Sequence, residues 1–132
     1  MERRMSCNCE NKAIELYIKK GESKGVAFTL YENGAPIDLT GGSIIFQVRD
    51  NVVDSGTYLI NKTITTSSNI ETTGKITDAE KGEFTIKVTS SDISSLLTTR
   101  PYFMAIYYSV GGIIRCVSAD GDSVGQFVVL NP

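Results

Sequence analysis

The sequence predicts an all-β chain of about 8 short strands, packed as a sandwich or closed as a barrel. Three observations predict it. Apolar residues recur with a period of two along most of the chain. Glycine-containing pairs interrupt those runs where hairpins would turn. Ser and Thr are abundant, which favours strands and turns over helices.

Residues 13–20 alternate Ile14, Leu16 and Ile18 with Glu15, Tyr17 and Lys19. In residues 25–31, Val26, Phe28 and Leu30 make one face. An Asn33-Gly34 turn and Pro36 lead to a run in which Ile44, Phe46 and Val48 face one way, Gln47 and Arg49 the other. Residues 82–88 are the cleanest case, with Phe84, Ile86 and Val88 inward and Glu83, Thr85 and Lys87 outward. Antiparallel sheets with one wet face require such alternation. Further strands are expected at 58–65, 102–110, 113–118 and 123–130, with Gly111-Gly112 and Asp120-Gly121-Asp122 as tight turns. Residues 54–74 are polar and weakly patterned, with a flexible loop expected at 66–73. At most one short helical turn is predicted, near 91–97, where capping residues precede Ile93, Leu96 and Leu97. Thr77-Asp78-Ala79-Glu80 fits a capping box, but Lys81-Gly82 and a strand follow directly, so it reads as a loop.

The chain has 132 residues, enough for one domain that buries roughly two-thirds of its unfolded surface. Residues 13–132 read as that domain and residues 1–12, which lack apolar pattern, as a flexible arm. The alternative for the arm is a segment that orders on a neighbouring subunit. The formal net charge of −2 and the scattered basic residues argue against nucleic acid. There is no histidine, which excludes His-based triads and His-ligated metals. No apolar run is long enough for a membrane helix, and the N-terminus has no signal-peptide core. Cys7, Cys9 and Cys116 are an odd set without zinc spacing, so free thiols are expected rather than a metal site or an intermolecular bridge.

Two blocks carry a family resemblance. The first is NGAPIDLTGGSIIFQVRD, residues 33–50. The second runs from Gly74-Lys75-Ile76-Thr77-Asp78 through Gly82-Glu83-Phe84-Thr85-Ile86 to Asp92-Ile93-Ser94-Ser95-Leu96, with Tyr102 and Tyr107 in the strand that follows. Turn and strand order here resemble the small immunoglobulin-like domain that opens many phage baseplate and tail-fibre proteins, the upper baseplate family above all. The likeness spans Ala13 to Leu130. It implies an immunoglobulin-like antiparallel β-sandwich, a place in the virion, and other virion structural proteins as partners, with many copies in the particle. Many relatives continue into a coiled coil or fibre. Here only Asn131-Pro132 follow, so the expectation is an attachment module standing alone.

No residue stands out as catalytic, cofactor-binding or metal-binding. Asp120 and Asp122 would give calcium two of the six to eight oxygens it takes, and solvated turn carboxylates are the favoured reading. Paired turn acids such as Asp78 and Glu80 are poorly placed to flank one hydrolase cleft. Asn61-Lys62-Thr63 fits a glycosylation sequon but has no export signal behind it. No Gly-x-Ser-x-Gly elbow or phosphate-binding loop occurs. Tyr102, Phe103, Tyr107 and Tyr108 lie in one strand and must divide between its faces, one face core and the other an interface or a glycan platform. The expected function is therefore non-enzymatic: virion docking, with carbohydrate binding as the alternative.

Overall fold

The computed structural model describes residues 2–6, 15–32, 35–50, 58–116 and 125–132. Alternating burial builds two sheets from eleven strands: β1 (Glu2–Ser6), β2 (Glu15–Lys19), β3 (Lys24–Glu32), β4 (Ala35–Pro36), β5 (Ser43–Arg49), β6 (Tyr58–Ile64), β7 (Gly74–Asp78), β8 (Glu83–Val88), β9 (Tyr102–Val110), β10 (Ile113–Cys116) and β11 (Gly125–Leu130). The front sheet has five strands in the order β1-β3-β8-β7, with β4 also on β3. The back sheet has six in the order β2-β11-β9-β5-β6, with β10 also on β9. The chain is all-β and forms a sandwich, one of the two architectures the alternation predicts. The count exceeds the expected 8 because β1, β4 and β7 lack a long alternating run of their own.

Most ladders are antiparallel, but β1 pairs parallel with β3 and β2 pairs parallel with β11. Inward residues of both sheets meet in one core. Phe28 stacks on Phe84 in the front sheet at 5.3 Å, and Phe46 meets Phe127 in the back sheet at 6.3 Å. Leu16, Ile18, Leu30, Ile44, Ile64, Ile76 and Ile86 fill the space between them. Gly111 and Gly112 both take positive φ, 63° and 82°, and make the predicted two-residue turn between β9 and β10.

One local expectation is met at its lower bound and another changes. Residues 91–97 form successive tight turns, closed by Asp92 N–H to Thr89, Ser94 N–H to Ser91 and Leu96 N–H to Ile93. Ile93 and Leu96 enter the core while Leu97 stays exposed. The segment gains its burial without a helix, because two apolar anchors suffice to seat a turn. Ala79–Lys81 is a one-turn 3-10 helix rather than plain loop, and Asp78 before it makes no side-chain capping bond. The Asn33-Gly34 turn, the Asp120–Asp122 turn, Cys7 and Cys9 lie outside the described residues.

The β6 and β7 sides of the sandwich are pinned by a lysine. Lys62 points inward from β6, and its ammonium donates to Thr72 O (2.7 Å), Lys87 O (2.7 Å) and Asp92 Oδ2 (2.6 Å). All three of its donors are used. The pair is partly shielded, with side chains 11% and 25% exposed. Asp92 Oδ2 also accepts the Thr89 N–H at 2.8 Å. Burial by itself pushes the Asp92 carboxyl up. Hydrogen bonds from Lys62 and Thr89, and the lysine charge, outweigh it and hold the carboxyl below its ordinary value.

A carboxyl lowered by folding stabilises above its unfolded pKa, and that contribution disappears as pH falls through the folded one. The melting temperature of the native chain should therefore exceed that of Asp92→Asn at neutral pH. The gap should close in acid, below about pH 4. A gap that stays constant down to about pH 2 would show that Asp92 stabilises without its charge.

Candidate docking face

The wet face of the back sheet is not uniformly polar. Along β5, the residues between the buried Ile44, Phe46 and Val48 are Ile45, Gln47 and Arg49, all half-buried. Along β9 the aromatics divide as the alternation requires. Tyr102 and Tyr108 enter the core, and Phe103 and Tyr107 lie half-buried on the outer face. Tyr102 is anchored by its hydroxyl, which accepts the Leu97 N–H at 2.8 Å.

Register assembles a row from these positions. Tyr58 of β6 sits opposite Arg49, Arg49 opposite Phe103, Phe103 opposite Gln126 of β11, and Gln126 opposite Glu15 of β2. At the usual strand spacing the row spans about 19 Å. A register shift between Val48 and Arg49 brings Tyr58 into line. Below the row, Ile45 pairs with Tyr107.

Arg49 organises the centre. Its guanidinium lies 5.2 Å from the Tyr58 ring centroid, a cation–π contact. It also donates to Gln47 Oε1 at 3.3 Å, with Tyr107 OH at 3.5 Å. The long side chain is held flat across the sheet, so little conformational freedom remains to be lost on contact with a partner. At the far side Tyr17 donates its hydroxyl to Glu15 Oε2 at 2.6 Å. That bond, with some burial and the nearby negative charge, raises the Tyr17 pKa.

The front sheet carries fewer such residues. Its outward residues on β8 are Glu83, Thr85 and Lys87, and those on β7 include Lys75 and Thr77, with Tyr31 of β3 as the half-buried outward ring. The polarity difference identifies the back sheet as the candidate contact surface. Outward Arg49 and the split of the β9 aromatics are legible in the sequence. Tyr58 was missed, since its strand begins after a polar stretch and its alignment with Arg49 depends on the register shift.

Of the acidic pairs named from the sequence, Asp120 and Asp122 lie outside the described residues. Asp78 lies 4.0 Å from Lys81. Asp38 accepts the Thr40 hydroxyl at 2.5 Å and the Thr40 N–H at 2.9 Å, and those bonds lower its pKa. Asp50 pairs with Arg100, whose guanidinium lies 5.1 Å from the Tyr102 ring centroid. Among the described residues no three His, Cys, Asp or Glu side chains converge, and no helix is long and apolar enough to cross a membrane. Asn61 is exposed on β6, in register with Gln47.

Comparison with known proteins adds a fold likeness. The chain is similar to the N-terminal domain of phage TP901-1 ORF48, with a TM-score of 0.53, 13% sequence identity, and 98% of each chain covered. No protein-family model matches the chain, and no curated protein sequence matches it.

Proposed function

We propose that this chain is a non-enzymatic structural protein of a bacteriophage particle, an immunoglobulin-like module that docks onto other virion proteins through the wet face of its back sheet. One observation carries the reading: the Tyr58–Arg49–Phe103 row, set across adjacent strands of a fold similar to a phage domain over its whole length. Aromatic residues and arginine are the residues that interface centres favour, and lysine and glutamate are depleted there. A symmetric particle would hold several copies. Baseplate, tail fibre and head surface are the places such a module serves, and the virion is where it would be found.

A glycan platform is the competing use of exposed tyrosines. Arg49 already covers the Tyr58 ring, which leaves that face poorly free for a sugar. Protein docking is therefore favoured over carbohydrate binding.

The test is incorporation into particles. Virions assembled with Arg49→Ala or Phe103→Ser should lose the protein by at least about tenfold, equal to about 1.4 kcal/mol of contact energy. The outer-face substitution Thr85→Ala on the front sheet should leave incorporation unchanged. Equal incorporation of all three variants, each with native melting behaviour, would sink the docking face. A specific hit on a glycan array that Tyr58→Ala abolishes would move the reading to carbohydrate.

A further inference from the structure

We propose that the wet face of the back sheet also pairs with the same face of a second copy of this chain, about a two-fold axis that runs along β9. The proposal names a partner for the face already singled out, and so rests on reading that face as a contact surface.

Strand order sets the axis. β9 is the central strand of the path β2-β11-β9-β5-β6. A two-fold along it lays β5 over β11 of the second copy and β6 over β2, which overlaps the two sheets fully. The outward residues of β9 fall on the axis, so Phe103 meets Phe103 and Tyr107 meets Tyr107. Both are half-buried aromatics, the residue type that interface centres favour. Aligned sheets cross at about 30°, so the match is closest near this axis.

The row across the sheet carries unlike charges on the two sides of that axis. Arg49 lies one strand from Phe103, and Glu15 lies two strands away on the other side, opposite Gln126. Within one chain Arg49 and Glu15 stand three strand spacings apart, about 14 Å. The two-fold reverses the row. It sets Arg49 over Gln126 of the second copy, about 5 Å sideways from Glu15 of that copy. Like charges stay farther apart: sideways, the two Arg49 by about 10 Å and the two Glu15 by about 19 Å. The guanidinium finds an amide oxygen and a carboxylate, both good acceptors for it. Glu15 already takes the Tyr17 hydroxyl at 2.6 Å, but a carboxylate has about four acceptor sites and keeps capacity. Lys19, the next charge on the same face of β2, sits about 13 Å along the strand, off the row.

The size of the face sets the strength. β9 has nine residues, about 30 Å, and the row is about 19 Å wide, a footprint of about 570 Å² per copy. Stable complexes bury about 800 Å² per partner. The pair is therefore weak and exchangeable. It yields to a larger contact, so it does not bar docking onto a virion protein.

Sedimentation of the full chain tests the pair, between about 10 μM and about 1 mM protein. The native chain should pass from monomer to dimer across that range. Glu15→Lys and Arg49→Glu should each stay monomeric where half of the native chain is paired, because either change sets like charges against each other twice. Mixed in equal amounts, the two variants should pair again, since each then supplies the sign that the other lacks. A native melting transition shows that each variant keeps the fold. Glu15 is exposed, so Glu15→Lys decides the matter alone where Arg49→Glu does not fold. A native chain that stays monomeric throughout, a Glu15→Lys chain that pairs as the native chain does, or a mixture of the two folded variants that stays monomeric would overturn the proposal. Incorporation of Arg49→Ala into particles is a separate readout. Its loss with no pairing in solution would uphold docking and reject this pair. Pairing in solution with normal incorporation would uphold the pair and reject docking.

Discussion

Alanine at Gly74 is expected to destabilise the chain by more than about 4 kcal/mol, or to stop it folding. Gly74 opens β7 with φ at +109°, a region an L-residue enters only with strain. The steric problem is larger. A Cβ there would lie 2.1 Å from Thr85 O, 3.0 Å from Ile86 Cα and 3.0 Å from Lys87 N. All three are backbone atoms of β8, a strand laddered to β3 on one side and β7 on the other. Neither neighbour can yield without breaking a ladder. Gly21 is the control: its φ is +89°, but a Cβ would meet nothing within 4 Å. Gly21→Ala should cost only about 1 kcal/mol, the backbone part alone. Urea unfolding of both variants separates clash from strain. A Gly74→Ala midpoint no lower than that of Gly21→Ala would show that β7 is not held against β8 as described.

Lys62→Met should cost about 2–4 kcal/mol. A buried pair broken on one side loses about 3–5 kcal/mol, and this pair is partly exposed, which lowers the figure. Methionine keeps much of the apolar stem but strands Asp92 Oδ2 and the carbonyls of Thr72 and Lys87, which share the lost ammonium. Adding Asp92→Asn to Lys62→Met should cost less than the separate effects summed, since the two groups belong to one network. The measurement is the urea midpoint of the native chain, both single variants and the double. Strict additivity, or a loss under about 1 kcal/mol for Lys62→Met, would show that the pin stabilises little.

These two sites differ in how far the sequence announces them. The strands around them were legible, because Phe84, Ile86 and Val88 in β8 and Ile44, Phe46 and Val48 in β5 alternate without a break. Gly74 was not legible as the start of a strand, because β7 is short and has Ile76 as its single large apolar residue. Lys62 carried no signal. Two of its acceptors are main-chain carbonyls, which have no side-chain identity, and Asp92 lies 30 residues away. The strand β1 was equally silent, since ERRMS has no period of two and its partner is set by backbone pairing. On the docking face, alternation placed Arg49 opposite the core face and divided the β9 aromatics between two faces, and the structure puts Phe103 on the outer one. The row that joins them to Tyr58 exists only once register aligns separate strands.

The parallel ladder between β2 and β11 has a mechanical consequence. Glu15 lies opposite Gln126 and Lys19 opposite Leu130, so the two strands run the same way side by side. A pull on the chain before Glu15 and after Leu130 drags them in opposite directions along their shared axis. Every hydrogen bond of the ladder then bears tension together, in shear, rather than parting one by one like a zipper. A module hauled between two anchors in this direction would resist extension far better than its modest length of ladder suggests.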